Sequence, residues 1–139
     1  MSALALLAVA LALVVPAKGA KFLGQTAQKQ SLSFTVARGP SLTGLAVTVY
    51  ARCDRAGSVG ERRVFTEAVR VGGDGSFSAV SRALGGGRGG DLVWVLGRFV
   101  TPRRAEGTVL YLTRRQFEGL GVVSCTSGRV RWTATARTD

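Results

Sequence analysis

The chain has 139 residues, enough for one domain built on one hydrophobic core. It carries 19 lysines and arginines against 8 aspartates and glutamates, a formal net charge of +11, and it contains no histidine. The positive charge predicts attraction to polyanions, which include nucleic acid, acidic lipids and acidic wall polymers. The lack of histidine excludes the Ser-His-Asp and Cys-His catalytic arrangements and most zinc sites.

The first twenty residues have the layout of a secretory signal peptide. Residues 3–15 form an unbroken apolar run, and the small-residue segment Pro16-Ala17-Lys18-Gly19-Ala20 follows it. The run is well short of the roughly 20 apolar residues that span a bilayer, which argues against a membrane anchor. We therefore expect cleavage near Gly19, with residues 1–19 as the signal peptide and residues 20–139 as a secreted or extracytoplasmic domain.

The rest of the chain has the short alternating runs that are typical of β-strands. The alternation of apolar and polar residues is clearest in residues 32–36 and 45–53. No segment shows a convincing helical period. Residues 114–120 come nearest to one, but Gly119 within them and Gly121 just after them argue against a helix. About eight strands are predicted, over residues 21–26, 32–36, 45–53, 62–71, 76–83, 92–100, 107–113 and 129–136.

Turn residues separate these runs. Residues 38–41 and 101–104 contain proline, and Gly72-Gly73-Asp74-Gly75 predicts a tight hairpin. Regularly spaced short strands with such turns favour a single antiparallel β-sandwich, so the fold class is all-β. A closed or partly open β-barrel is the alternative.

Cys53 and Cys125 are the only two cysteines. An even number of cysteines in an exported chain predicts a disulfide, and only one pairing is possible. In the entropic treatment, closing a loop of this size stabilises a domain by about 4 kcal/mol. Two isolated sulfurs without histidine make poor metal ligands, so we expect no metal site and no cofactor.

Short segments along most of the chain occur in a characteristic order, in which the second cysteine closely precedes a final strand that bears tryptophan. They are Gly24-Gln25-Thr26, Ser33-Phe34-Thr35-Val36, Cys53, Asp74-Gly75-Ser76-Phe77, Gly97-Arg98-Phe99, Ala105-Glu106-Gly107, Cys125-Thr126-Ser127-Gly128 and Trp132-Thr133-Ala134. In these segments and their order the chain resembles a loosely defined group of small secreted β-domains of unknown function from actinobacteria and related bacteria. The resemblance implies the β fold and the disulfide, and it implies no activity.

Two features invite an enzymatic interpretation. A carboxylate pair of the glycosidase kind has Glu61 with Glu67, or Asp54 with Asp91, as candidates. The glycine-rich residues 85–90 resemble a phosphate loop, but the Lys-Ser/Thr ending is missing and a strand follows. Sparse carboxylates beside many arginines are more often ion-pair partners, and the glycine run is better explained as a hairpin tip. We therefore expect no enzyme and no catalytic residue.

We expect the two tryptophans to lie in the core and the last predicted strand to present a basic face to solvent. Trp94 and Trp132 lie in strands among apolar neighbours, and we expect both in the core. In residues 129–136, Val130, Trp132 and the alanines alternate with arginine and threonine, so one face is predicted to be buried and the other basic and exposed. The residues predicted to bind polyanions are Arg129, Arg131 and Arg137, with Arg103 and Arg104 from a neighbouring turn.

These observations predict a non-enzymatic binding or structural module of the cell envelope. Its expected partner is an acidic envelope polymer or the headgroups of acidic lipids, with no specific nucleic acid and no cofactor. The alternative is a secreted protein-binding module, such as an inhibitor or adhesin, that acts through its loops. The chain also lacks isoleucine and asparagine, a skew that suggests a GC-rich genome. Its arginine content is therefore also consistent with codon bias that has no binding role. Polyanion binding weakens steeply with salt, and shape-specific protein binding does not.

Overall fold

The computed structural model describes residues 14–83 and 90–137, which contain ten strands joined by antiparallel pairing and no α-helix. No helix in these residues has the length and hydropathy required to cross a membrane. The strands are β1 (Lys21–Thr26), β2 (Ser31–Ala37), β3 (Ser41–Cys53), β4 (Gly57–Val64), β5 (Val69–Arg70), β6 (Ser76–Ala83), β7 (Asp91–Thr101), β8 (Arg104–Phe117), β9 (Gly121–Thr126) and β10 (Val130–Ala136).

All ten strands belong to one hydrogen-bonded sheet that folds into two facing layers. The order along the sheet is β10-β1-β2-β3-β9-β8-β7-β6, and β4 and β5 pair with the free edge of β3. Rings from β1 and β2 meet rings from the other layer: Phe22 contacts Phe99 at 5.4 Å between ring centroids, and Phe34 contacts Phe77 at 6.0 Å. The prediction of an all-β antiparallel sandwich is confirmed.

The two layers are joined on one side and separate on the other. Strand β10 pairs with β1 and with β8, and β9 pairs with β3 and β8. On the opposite side, β6 lies beside β4 and β5, and the described residues form no strand pairing there. We call this gap the seam. It contains a groove of about 400 Å³ lined by residues 64–70 and 78–82.

The strand predictions succeed where alternation is strong and fail where inward-facing residues are polar. β1 and β6 have the predicted bounds. Residues 62–71 were predicted as one strand, but the structure has β4 and β5 there, with a break at residues 65–68. Strand β9 was missed because only two of its residues face inward. Strand β8 continues past residue 113, where it was predicted to end. The extension was missed because the inward residues there, Thr113 and Arg115, break the apolar pattern.

The predicted turns are present, with one difference in role. Residues 38–41 and 101–104 connect paired strands, as expected. The Gly75 amide donates to the Gly72 carbonyl oxygen at 2.9 Å, but β5 pairs with β3 and β6 pairs with β7. The predicted hairpin at residues 72–75 is therefore wrong, because this turn carries the chain between layers. Of the predicted glycine-rich tip at residues 85–90, residues 85–89 lie outside the described residues.

Asp74 stabilises this turn between layers. Its carboxylate accepts hydrogen bonds from the Ser76 hydroxyl at 2.6 Å and from the Ser76 amide at 3.0 Å. These hydrogen bonds to the charged form lower the pKa of Asp74 below its usual value.

The core is organised around Trp132. Its indole nitrogen donates to the carbonyl oxygens of Leu96 and Thr108, each at 3.2 Å. The ring packs against Gly97, and Gly107 is the register partner of both Trp132 and Gly97. A Cβ atom on Gly97 would lie only 2.6 Å from Cζ2 of Trp132, so the glycine makes room for the indole. Trp132 is 2% exposed, which confirms its expected place in the core.

Trp94 does not lie in the core, contrary to the prediction. It is half-buried on the outer face of β7, because its neighbours Val93 and Val95 occupy the inward positions. The Trp94 indole nitrogen donates to the hydroxyl oxygen of Ser78 on β6 at 2.9 Å. This hydrogen bond holds the ring against the outside of the sheet.

The predicted disulfide is confirmed. Cys53 of β3 and Cys125 of β9 are bonded, are register partners and are both buried. The bond covalently joins two strands that are 72 residues apart in sequence. Only two residue pairs connect β3 and β9, so the disulfide supplies much of the connection at this point.

The segment that precedes β1 contacts the domain. Val14 packs against the core and Pro16 is buried. The Ala17 amide donates to the Pro102 carbonyl oxygen at 2.9 Å, and the Gly19 amide donates to the Val36 carbonyl oxygen at 2.8 Å. In the uncleaved chain, the residues just before the expected cleavage point therefore lie on the folded domain.

We predict that replacing both cysteines by alanine lowers the melting temperature by roughly 10–20 °C, because the crosslink restricts the unfolded chain by about 4 kcal/mol in the entropic treatment. Differential scanning calorimetry of wild type and the Cys53→Ala, Cys125→Ala variant measures this change. Reduced wild-type protein serves as the control and is expected to melt close to the variant. Equal melting of the oxidised wild type and the variant would show that the bond contributes nothing to stability.

Candidate polyanion-binding face

Strand β10 presents a basic surface because every second residue of the strand is buried in the core and the residues between them face outward. Val130, Trp132 and the two alanines of the strand are buried, so the alternate positions must face outward. Arg131 and the two threonines of the strand are exposed, as are Arg129 and Arg137 at its two ends. The exposure of this Arg/Thr face agrees with the sequence analysis.

The hairpin between β7 and β8 adds the other two predicted arginines. The Arg103 guanidinium donates to the carbonyl oxygen of Arg137 at 3.3 Å, and Arg104 is the register partner of Thr135. We call Arg103, Arg104, Arg129, Arg131 and Arg137 the basic face. Three of its members cluster near the end of β10, and Arg129 and Arg131 lie at the start of the strand, up to roughly 25 Å away at 3.3 Å per residue.

The charges of the basic face are not neutralised by ion pairs in the part of the chain that the structure describes. Within residues 14–83 and 90–137, none of its five arginines forms a salt bridge with a carboxylate. One carboxylate, Glu106, lies within the face, because it is the register partner of Thr133. Glu106 is also opposite Arg98 of β7. Neither Glu106 nor Arg98 was foreseen here, since strand pairing brings Glu106 beside β10, and Arg98 beside Glu106, from distant parts of the sequence.

A second cluster of charges is turned inward at the seam. Arg63 and Arg115 lie 3.5–3.8 Å from the carboxylate oxygens of Glu61 and Asp91, and each carboxylate contacts both guanidinium groups. Asp91 and Arg63 are each 8% exposed. Because β4 belongs to one layer and β7 and β8 to the other, this buried ionic cluster links the layers where strand pairing is missing among the described residues.

Neutral partners complete the buried ionic cluster. The Thr113 hydroxyl donates to Asp91, and the Arg63 guanidinium donates to the Ser81 hydroxyl oxygen at 2.9 Å. The Arg115 guanidinium donates to the Tyr111 hydroxyl oxygen at 3.0 Å, and this hydrogen bond raises the pKa of Arg115 above its usual value. Sequence reasoning missed the cluster because the inward positions of β4 and β8 were not recognisable from an apolar pattern.

The cluster brings together two of the carboxylates considered for catalysis, in a combination that was not anticipated. Glu61 and Asp91 share arginine partners, whereas Glu67 and Asp54 are exposed and lie outside the cluster. The two pairs named as glycosidase candidates, Glu61 with Glu67 and Asp54 with Asp91, are therefore not brought together in this cluster.

Comparison with known proteins adds no assignment, since no family model, no curated protein and no solved structure matches this chain. The disulfide implied by the resemblance to small secreted β-domains is present in the structure. The function must therefore be argued from the chain's own residues.

We predict that Arg63→Ala lowers the free energy of unfolding by about 3 kcal/mol, because removing this partner leaves the buried Asp91 carboxylate with one counter-charge fewer. Arg62→Ala is the matched control, since Arg62 is the exposed neighbour on the same strand and its replacement is expected to change stability by less than about 0.5 kcal/mol. Urea denaturation of both variants measures the difference. Equal midpoints for the two variants would contradict a stabilising role for the cluster.

Proposed function

We propose that this protein is a non-enzymatic binding module of the cell envelope that associates with acidic polymers through the basic face. The observation that carries the proposal is the contrast between two sets of arginines. Arg63 and Arg115 are paired with carboxylates inside the seam, whereas the five arginines of the basic face are without such partners among the described residues. Unpaired surface guanidinium groups are available to bind carboxylate, sulfate or phosphate groups.

The geometry of β10 suits a linear polyanion. Its outward residues alternate at about 7 Å intervals along one direction, and arginine and threonine both supply hydrogen-bond donors. Glu106 lies between the two groups of arginines and weakens the positive potential at the middle of the strand. We therefore infer that the ends of β10 contribute more to binding than its centre.

An extracytoplasmic location is part of the proposal. A disulfide between buried cysteines is compatible with an oxidising compartment. The signal-like segment at residues 1–19 favours the same location.

We expect the secreted protein to begin at Ala20 or Lys21, because the small residues before that point suit signal-peptide cleavage. Intact-mass measurement of protein from the culture medium and from the membrane fraction tests this. A full-length mass in the membrane fraction would contradict cleavage. Cleavage also removes the contacts of Val14 and Pro16, so the mature and uncleaved forms are to be compared by thermal melting as a control.

Binding is expected to depend on position as well as on charge. We predict that Arg129→Glu with Arg131→Glu lowers affinity for heparin at least about tenfold, because an attractive patch becomes repulsive. Reversing Arg103 and Arg104 is expected to have a smaller effect, because Arg137 beside them keeps part of the positive charge at that end of β10. Retention on a heparin column across a salt gradient measures both, and wild-type retention should fall as salt rises.

The matched control is Arg52→Glu with Arg62→Glu. These two arginines are exposed on the outer face of β3 and β4, which do not pair with β10, and this variant has the same net charge as the Arg129→Glu, Arg131→Glu variant. Equal loss of retention in the two double variants would mean that overall charge, and not the basic face, determines binding. Retention of wild type that is insensitive to salt would favour the alternative of a protein-binding module that acts through its loops.

A further inference from the structure

The outer face of β6, β7 and β8 carries a continuous group of apolar side chains. Val80, Trp94 and Leu110 are successive register partners across the three strands, and Leu92 pairs with Leu112 in the next row. We call the following residues the apolar face: Val80, Leu92, Trp94, Leu96, Leu110 and Leu112.

The apolar face is accessible to solvent. Val80 is 51% exposed and Leu112 is 38% exposed, and the other four side chains are half-buried. Isolated exposed apolar residues are common on proteins, but a contiguous group across three strands indicates an interaction surface. Its centre is rigid, because the Trp94 indole is held by its hydrogen bond to Ser78.

Arginines surround the apolar face. Arg82 is the register partner of Leu92, and Arg131 is the register partner of Thr108, which lies in the row next to Leu110. Arg129 directly precedes the residue paired with Val109, so it lies beside Leu110. Arg98 and Arg114 follow Leu96 and Leu112 at the next outward positions of β7 and β8 and are exposed.

We propose that the apolar face inserts shallowly into the interface of a bilayer that contains anionic lipid, while the surrounding arginines bind the lipid headgroups. This inference deepens the proposed function and rests on it, because Arg129 and Arg131 belong to both surfaces. The phosphate groups of anionic lipid supply negative charge to arginines that have no carboxylate partner among the described residues. Tryptophan is favoured at the boundary between headgroups and acyl chains.

Charge complementarity favours this occupant over two others. A second copy of the chain, related by a two-fold axis, would bring the same patch against itself and place arginines near arginines. A soluble polyanion would neutralise the arginines but leave Val80 and Leu112 in water. An anionic bilayer satisfies both the charge and the apolar area.

The test measures co-sedimentation with vesicles of phosphatidylcholine alone and of equal parts phosphatidylcholine and phosphatidylglycerol. Wild type is expected to bind only the anionic vesicles, with a blue shift of tryptophan fluorescence. Trp94 is the expected reporter, because Trp132 is already buried, so a Trp94→Phe variant should lose the shift. Val80→Ser with Leu112→Ser is expected to lower vesicle affinity at least about tenfold while heparin retention is unchanged.

Tyr50→Ser is the control for the apolar substitutions, because Tyr50 is 44% exposed on the opposite layer. It is expected to leave vesicle binding unchanged. Heparin binding without vesicle binding would overturn this inference and leave the proposed function standing, whereas loss of both would overturn both. Equal vesicle binding by wild type and the Val80→Ser, Leu112→Ser variant would also overturn the inference, since charge alone would then account for binding.

Discussion

The packing of the Trp132 indole against Gly97 is the constraint on which the surface of this protein depends. Together with the ring of Phe77, the indole fills the space that a side chain at Gly97 would need, and its nitrogen is satisfied by two carbonyl oxygens of β7 and β8. Since residues of a strand alternate between faces, the burial of Trp132 sets the register of β10 and turns Arg131 outward. A shift of one residue would bury the arginine and expose the tryptophan, so the core maintains the basic face.

Arginine has two different physical roles in this chain. At the seam, Arg63 and Arg115 face inward and are neutralised by Glu61 and Asp91, which links the two layers on the side where the described residues form no strand pairing between them. On β10 and the hairpin beside it, arginines face water and lack such partners in the part of the chain that the structure describes. Composition alone does not distinguish these roles, because both draw on the same excess of arginine.

Sequence patterns predicted the features that depend on local alternation and missed those that depend on strand pairing. The outward face of β10 and the burial of Trp132 followed from alternation in seven residues. The place of Trp94 did not, because its flanking valines are buried and a strand that is apolar on both faces gives no parity signal. The disulfide between Cys53 and Cys125 could be predicted from the number of cysteines alone. The buried ionic cluster could not be predicted, because it forms only where β4, β6, β7 and β8 meet. The place of Glu106 on the basic face likewise depends on the pairing of β8 with β10.

Amide chemical-shift mapping by NMR tests the central claim most directly, because it reports where a polyanion contacts the wild-type protein. On titration with a heparin oligosaccharide, we expect the largest shifts at residues 103–104 and 129–137 and small shifts along β4. Shifts that saturate there and reverse with added salt would support the basic face as the site. The largest shifts on β3 and β4, or equal shifts over the whole surface, would contradict it.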